Sequence, residues 1–148
     1  MAINFFEEGV QSKIKQKRKT KDWINKAAKE KGFHISTLNY IFCTDDYLLQ
    51  INRNYLNHNT YTDIITFDQA EQEGEIEGDI YISIERVKEN ATSLGVIYHE
   101  ELLRVLIHGM LHLCGLKDKS QKEKKRMREE EEKALNLFQT LSVPRGTP

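Results

Sequence analysis

The chain is 148 residues long, 39% hydrophobic and 30% charged, the profile of one folded domain with a core of its own and not of a disordered segment. A formal net charge of −1 excludes a generic polyanion binder, and no apolar run approaches the roughly 20 residues that cross a bilayer. The N-terminus, Met1-Ala-Ile-Asn-Phe-Phe-Glu-Glu8, lacks the basic-then-apolar design of a secretory signal, and two cysteines, Cys43 and Cys114, fit a reducing, cytoplasmic setting.

Ile3 to Phe6 opens the chain as an edge strand. A helix starts at Thr20 or Lys21, carries Trp23, Ile24, Ala27 and Ala28 at helical spacing, and closes at Gly32. Leu38, Tyr40 and Phe42 alternate with Asn39, Ile41 and Cys43 as a half-buried strand. Thr44 then suits an N-cap, with Asp45 and Asp46 complementing the dipole of a helix that presents Tyr47, Leu48, Ile51 and Tyr55. Leu56 to Thr60 is loop chemistry, Ile64 to Phe67 a strand, and Asp68 to Glu77 a polar connecting loop. Asp79 to Ser83 is the next strand, and Ser83 caps a helix from about Ile84 that carries Val87, Ala91 and Leu94 up to Gly95. A central helix runs from about Ile97 to Leu113, with Leu102, Val105, Leu106 and Gly109 turned inward. The last, from about Gln121 to Thr140, buries Met127, Ala134, Leu135 and Phe138. Residues 1–142 thus form one domain and Val143 to Pro148 a flexible tail. Strands and helices mix without strict βαβ alternation, so the class is α+β.

The charges are segregated. Lys13, Lys15, Lys17, Arg18, Lys19 and Lys21 make one basic run; Lys122, Lys124, Lys125, Arg126 and Arg128 make another, ahead of acidic Glu129 to Glu132. Such runs are solvated faces unless they lie beside a site that handles phosphate.

The chemistry concentrates in His108-Gly-Met-Leu-His112-Leu-Cys-Gly115-Leu-Lys-Asp118. Histidines four apart on a helix lie one above the other, so both imidazoles can reach one ion. Gly115 suits a left-handed helix stop, after which the chain can double back and bring Asp118 to the same point. Two histidines and a carboxylate with coordination positions left open make a catalytic metal site, not a closed structural one. Two plainer readings stand beside this one: the histidines as hydrogen-bonded helix residues, and Asp118 as a cap for the last helix. Cys114, two residues after His112, points off the shared face. A zinc-protease motif would carry glutamate directly after the first histidine, and that position is Gly109, so a peptidase lacks its general base. His34 and His99 carry no motif.

The His-Gly-x-Leu-His-Leu-x-Gly run, with Thr62-Asp-Ile-Ile-Thr-Phe67 and Gly78-Asp-Ile-Tyr-Ile-Ser83 preceding it in order, resembles the signature blocks of the YbeY family of metal-dependent endoribonucleases, which act in ribosomal RNA maturation. The resemblance organises most of the chain from about Asp45 to Leu137. It implies a mixed sheet of about four strands with surrounding helices and the metal helix inside. It also implies one divalent ion, zinc first with manganese, iron or nickel as alternatives, and as partners ribosomal RNA and the ribosome or proteins associated with it, with no membrane. The family pattern has a third histidine where this chain has Asp118, and an arginine where it has Leu56. The ligands are then His108, His112 and Asp118, and Arg53 or His58 takes over the arginine's work on phosphate charge. For His58 the plain alternative is a solvated loop histidine. Asp63 either orients a ligand histidine or pins its strand. The function that follows is a metal-dependent endoribonuclease. A ribosome-associated RNA-binding factor that keeps the metal for structure is the alternative, and a non-haem iron oxygenase fits the ligand set alone.

Overall fold

The computed structural model describes residues 2–11, 14–56 and 61–141. Lys13, His58 and the expected tail from Val143 to Pro148 lie outside the described residues. The period-two pattern sends Leu38, Tyr40 and Phe42 to one face of a sheet, where all three are fully buried. Along the chain run β1 (Ala2–Glu8), α1 (Lys17–Glu30), β2 (His34–Cys43), α2 (Asp45–Leu56), β3 (Ile64–Asp68), β4 (Glu75–Ser83), α3 (Ile84–Leu94), α4 (Tyr98–Leu113) and α5 (Gln121–Thr140). The four strands lie in the order β1-β2-β4-β3. β1, β2 and β4 are parallel, and β3 returns antiparallel to β4, so the sheet is mixed and the class α+β.

Most boundaries follow the local signals. Thr44 accepts from the Tyr47 N–H at 3.1 Å and caps α2, and Ser83 does the same for α3 through Arg86 at 3.3 Å. Three limits move. β4 begins at Glu75 because Ile76, Gly78, Ile80 and Ile82 continue one inward period through a polar stretch, and the His34 N–H bonds to Gly74 O at 2.8 Å ahead of the ladder. β2 lengthens to match, starting at His34 and pairing it with Glu75. α1 starts at Lys17, and the Thr20 hydroxyl donates back to Gln16 O at 3.0 Å as an interior residue.

The main core joins Trp23 and Ile24 of α1, the inward residues of β2 and β4, and the apolar side of α4 from Leu102 to Leu113. Met127, Ala134 and Phe138 of α5 close it, while Leu135 packs on its margin half-buried. Trp23 donates its indole N–H to Ala134 O at 2.6 Å, and Tyr40 donates its hydroxyl to Leu106 O at 2.8 Å; these bonds tie α1 to α5 and the sheet to α4. A smaller cluster, Cys43, Leu48, Ile51 and Ile65, seats α2. α4 meets β3 and β4 at Gly109, where a Cβ would come within 2.9 Å of Ile80 Cδ1 and 3.0 Å of Ile64 Cδ1.

That approach is testable. In Gly109→Val the two helix propensities nearly cancel, so the loss of stability reports overpacking, about 1–3 kcal/mol or more. Urea unfolding should show a lower midpoint with an unchanged slope; an unchanged midpoint would mean that α4 has room to lift off the sheet.

Candidate metal centre

α4 brings the two imidazoles together as the i, i+4 spacing requires. Their ring centroids are 4.5 Å apart, and each Nε2 lies 3.3 Å from Asp118 Oδ2. The turn that returns Asp118 is a Schellman motif: the Gly115 N–H bonds to His112 O at 2.9 Å and the Leu116 N–H to Leu111 O at 3.1 Å. Gly115 takes φ 96° there, a conformation that a side chain would strain.

The same turn orients one of the imidazoles. His112 Nδ1 is 2.9 Å from the Leu116 carbonyl oxygen. A carbonyl only accepts, so Nδ1 donates, and in the neutral ring Nε2 then holds the lone pair. His108 is held from another element: its Nδ1 lies 2.6 Å from Glu131 Oε2 on α5. Burial by itself would raise the Glu131 carboxyl, but the His108 hydrogen bond and the Arg104 guanidinium outweigh it and hold it below the ordinary range. Arg104 reaches Glu131 at 3.1 Å and is clasped by Glu101, which is buried one turn earlier. Both Nδ1 atoms therefore donate and both Nε2 atoms face Asp118.

The plain reading of Asp118 as a cap does not hold. Ser120 caps α5 in a reciprocal box with Glu123, its hydroxyl accepting from the Glu123 N–H at 3.1 Å and the carboxylate accepting from the Ser120 N–H at 2.9 Å. The reading of Asp63 as orienting a histidine does not hold, because His108 Nδ1 and His112 Nδ1 take Glu131 and the Leu116 carbonyl; the backbone carbonyl of Asp63 accepts the Ser83 N–H at 3.0 Å.

Whether an ion fits is a matter of the donors. Ligand atoms at about 2.0–2.2 Å from one tetrahedral ion stand about 3.3–3.6 Å apart, and each Nε2 lies 3.3 Å from Asp118 Oδ2. Ligand atoms of all three residues lie within 4.8 Å of one another. Side-chain exposures of 16% for His108, 25% for His112 and 39% for Asp118 leave the centre open on one side. Cys114 stays out of it: its sulfur faces Met110 Sδ at 3.5 Å, and burial pushes the thiol up to about 12. Cys43 is buried away from the site and also free.

Beside the centre, the C-terminal turn of α2, the outer edge of β3 and Lys119 enclose an open groove of about 620 Å³. Asn52, Leu56, Thr62 and Ile64 line it, and Lys119 follows Asp118 directly. Leu56, at the position of the family arginine, points apolar surface into this groove. Arg53 is exposed on the same helix. His34 is exposed in β2, and His99 lies at the start of α4, nine residues before His108. Sequence reasoning missed Glu131, reading it as one of four solvated acids. Its signal was present: Met127, Glu131, Ala134 and Phe138 share one helical stripe, and a carboxylate in an apolar stripe needs a buried partner.

The model of the family described as Endoribonuclease YbeY matches residues 3–139 of the chain. A protein of that name from Cytophaga hutchinsonii is 53% identical over 91% of this chain and 94% of its own, and one from Christiangramia forsetii is 48% identical over 92% and 94%. The solution structure of TM1509 from Thermotoga maritima superposes with a TM-score of 0.66 at 28% identity, covering 92% of this chain and 88% of that one.

Glu131→Gln keeps the shape of the contact but removes its charge, and metal affinity should fall about 10–100-fold, measured by titration against a competing chelator. The same variant reads out acid stability. A carboxyl held below its unfolded pKa of about 4.3 stabilises the fold above that pH and loses the contribution as pH falls through the folded value. The Glu131→Gln chain should therefore show a flatter loss of stability below about pH 4. Unaltered metal affinity and an unaltered acid limb would assign Glu131 to packing alone.

Proposed function

The chain belongs to the endoribonuclease YbeY family, and on that premise we propose that it is a metal-dependent endoribonuclease that acts on ribosomal RNA during its maturation. The observation that carries this reading is the convergence of His108 Nε2, His112 Nε2 and Asp118 Oδ2, with both Nδ1 atoms committed elsewhere. His108, His112 and Asp118 hold the ion. Zinc is the first candidate, and the carboxylate in place of a third imidazole widens the choice to manganese, iron or nickel.

A divalent ion in such a site supplies Lewis acidity towards a phosphoryl oxygen and acidifies water. The chain's own groups do the rest. Asp118 is the most exposed of the three, and Lys119 beside it in sequence lines the groove. Lys119 stands in that groove and neutralises a phosphate next to the scissile one. Arg53, exposed on α2, takes the part of the family arginine on transition-state charge, with His58 as the second residue in that role. Gly109 offers no proton chemistry, which suits phosphodiester cleavage better than peptide hydrolysis.

The open centre also favours an enzyme over a factor that keeps its metal for structure, since structural sites close all positions with protein ligands. The second basic run fits an RNA substrate. Lys124 and Arg128, at helical spacing from Glu131, lie on the side of α5 that faces His108. We also assign the chain to the cytoplasm, with ribosomal RNA and ribosome-associated proteins as its partners. Two free thiols agree with that compartment, and among the described residues no helix is long and apolar enough to cross a membrane.

Purified chain loaded with metal should cut a single-stranded RNA, and His108→Ala or His112→Ala should reduce cutting by about a hundredfold or more, the loss expected when the group that organises charge stabilisation is removed; activity that survives in both variants would place it outside this centre. Lys124→Gln with Arg128→Gln should weaken binding to RNA of any sequence. The double variant should also flatten the salt dependence by about 1.4 in log–log slope, two phosphate contacts at about 0.7 each on a single strand. An unaltered slope would return these residues to the solvated face.

A further inference from the structure

At the end of α4 remote from the imidazole pair, lysines gather beside a helix start whose own acids are Glu100, which is exposed, and Glu101, which is paired with Arg104. α1 opens with Lys17, Arg18 and Lys19 and carries no acidic residue in its first turn, although the positive end of a helix disfavours cations there. Lys19 is only 8% exposed and forms no hydrogen bond or ion pair among the described residues. Its ammonium lies 4.2 Å from the centroid of the Phe138 ring, a contact that attracts the charge but supplies no acceptor oxygen for its three N–H groups. A buried charge left in that condition costs stability, and a fold that retains it has a use for it.

The start of α4 adds to the same place. Ile97 stands at its N-cap and its side chain cannot cap, so the N–H groups of His99 and Glu100 receive no acceptor from it. His99 follows, its ring 6.4 Å from Phe138. Burial, and then the nearby Lys15 and Lys19, hold its pKa below the ordinary value, which favours the uncharged ring beside the two ammonium groups. Lys19, Ile97, His99, Glu100, Leu103 and Phe138 line a cavity of about 290 Å³ between them. Glu100, exposed at the rim, is the only carboxylate lining this cavity among the described residues, and it makes no ion pair with Lys19.

We propose that this cavity is a phosphate-binding site separate from the metal centre, with the Lys19 ammonium as counter-charge, the first N–H groups of α4 as donors and Lys15, near His99, adding to the positive field. A phosphate carries up to two charges and three or more acceptor oxygens, enough to meet two ammonium groups and a fan of backbone donors together; a carboxylate would leave part of that set unmet. The site is nine residues from His108 along α4, about 13 Å of helix rise, and half a turn round from it, so it takes a phosphate other than the one cleaved. The carrier is either an RNA strand, in which case the site rests on the reading given above, or a free small phosphate.

The test follows backbone amide signals of Tyr98, His99 and Glu100 in the full, metal-loaded chain during titration with inorganic phosphate. Saturable shifts are expected. Lys19→Met, which keeps the stem against Phe138, should weaken binding about tenfold or more, the loss of one charge-assisted contact, while melting no lower than the parent in phosphate-free buffer. Glu100→Gln, which removes the rim carboxylate, should tighten it. Single-stranded RNA added to the His112→Ala chain distinguishes the carriers: displacement of phosphate at these amides identifies the strand, and signals that stay put identify a small phosphate. No step depends on cleavage, so a failure of the nuclease reading leaves this result interpretable. Absence of saturation with both phosphate and RNA would overturn the site, as would a Lys19→Met chain that binds phosphate normally or melts well below the parent.

Discussion

Two imidazoles serve one ion only when each turns an unprotonated nitrogen towards it, and here that condition is imposed through the opposite nitrogens. The Leu116 carbonyl and the Glu131 carboxylate each accept from an Nδ1–H, which sets both tautomers and both ring planes before any ion arrives. The two constraints have different origins. Leu116 belongs to the helix stop itself, so a local motif orients His112. Glu131 comes from α5 and depends on the packing of Phe138, Ala134 and Met127 against α1 and α4.

The Glu131 contact is itself supported. Arg104 holds it from one side and is held in turn by Glu101, which puts two buried carboxylates, a guanidinium and an imidazole in one chain of hydrogen bonds. Buried ion pairs seldom raise stability above that of an apolar core of the same volume, so this network is better understood as positioning than as glue. It takes two carboxylates out of water, with Arg104 partly exposed between them, in order to keep one ring in place.

The glycine after the first histidine shows how packing and chemistry constrain one position. Gly109 lies where α4 meets Ile64 and Ile80, and a Cβ there would press on both side chains. A protease's glutamate on that face would have to displace these isoleucines or shift the helix that carries both imidazoles. The absence of a base at that position is thus a consequence of how closely the metal helix sits on its sheet, and it suits a reaction driven by charge stabilisation at phosphorus.

Much was legible in the sequence because it was local. Helical spacing determined that His108 and His112 share a face, Gly115 that the helix ends in a left-handed turn, and Thr44 and Ser83 where two helices begin; each depends on residues within one or two turns of chain. The strand order, the partner of His108 and the fate of the basic runs were not legible. Glu131 looks like its neighbours Glu129 and Glu132 until α5 is docked, and only docking decides that Glu130 and Glu131 are the two of four adjacent acids to lose their water. Lys19 likewise reads as one lysine in a solvated run and proves to be buried against Phe138, while Lys124 and Arg128 keep to the surface of α5. Periodicity determined which faces could be buried. Which face met which, and so which charges were left without water, was decided by contacts between residues distant in the chain, and that information exists only once the helices have packed on the sheet.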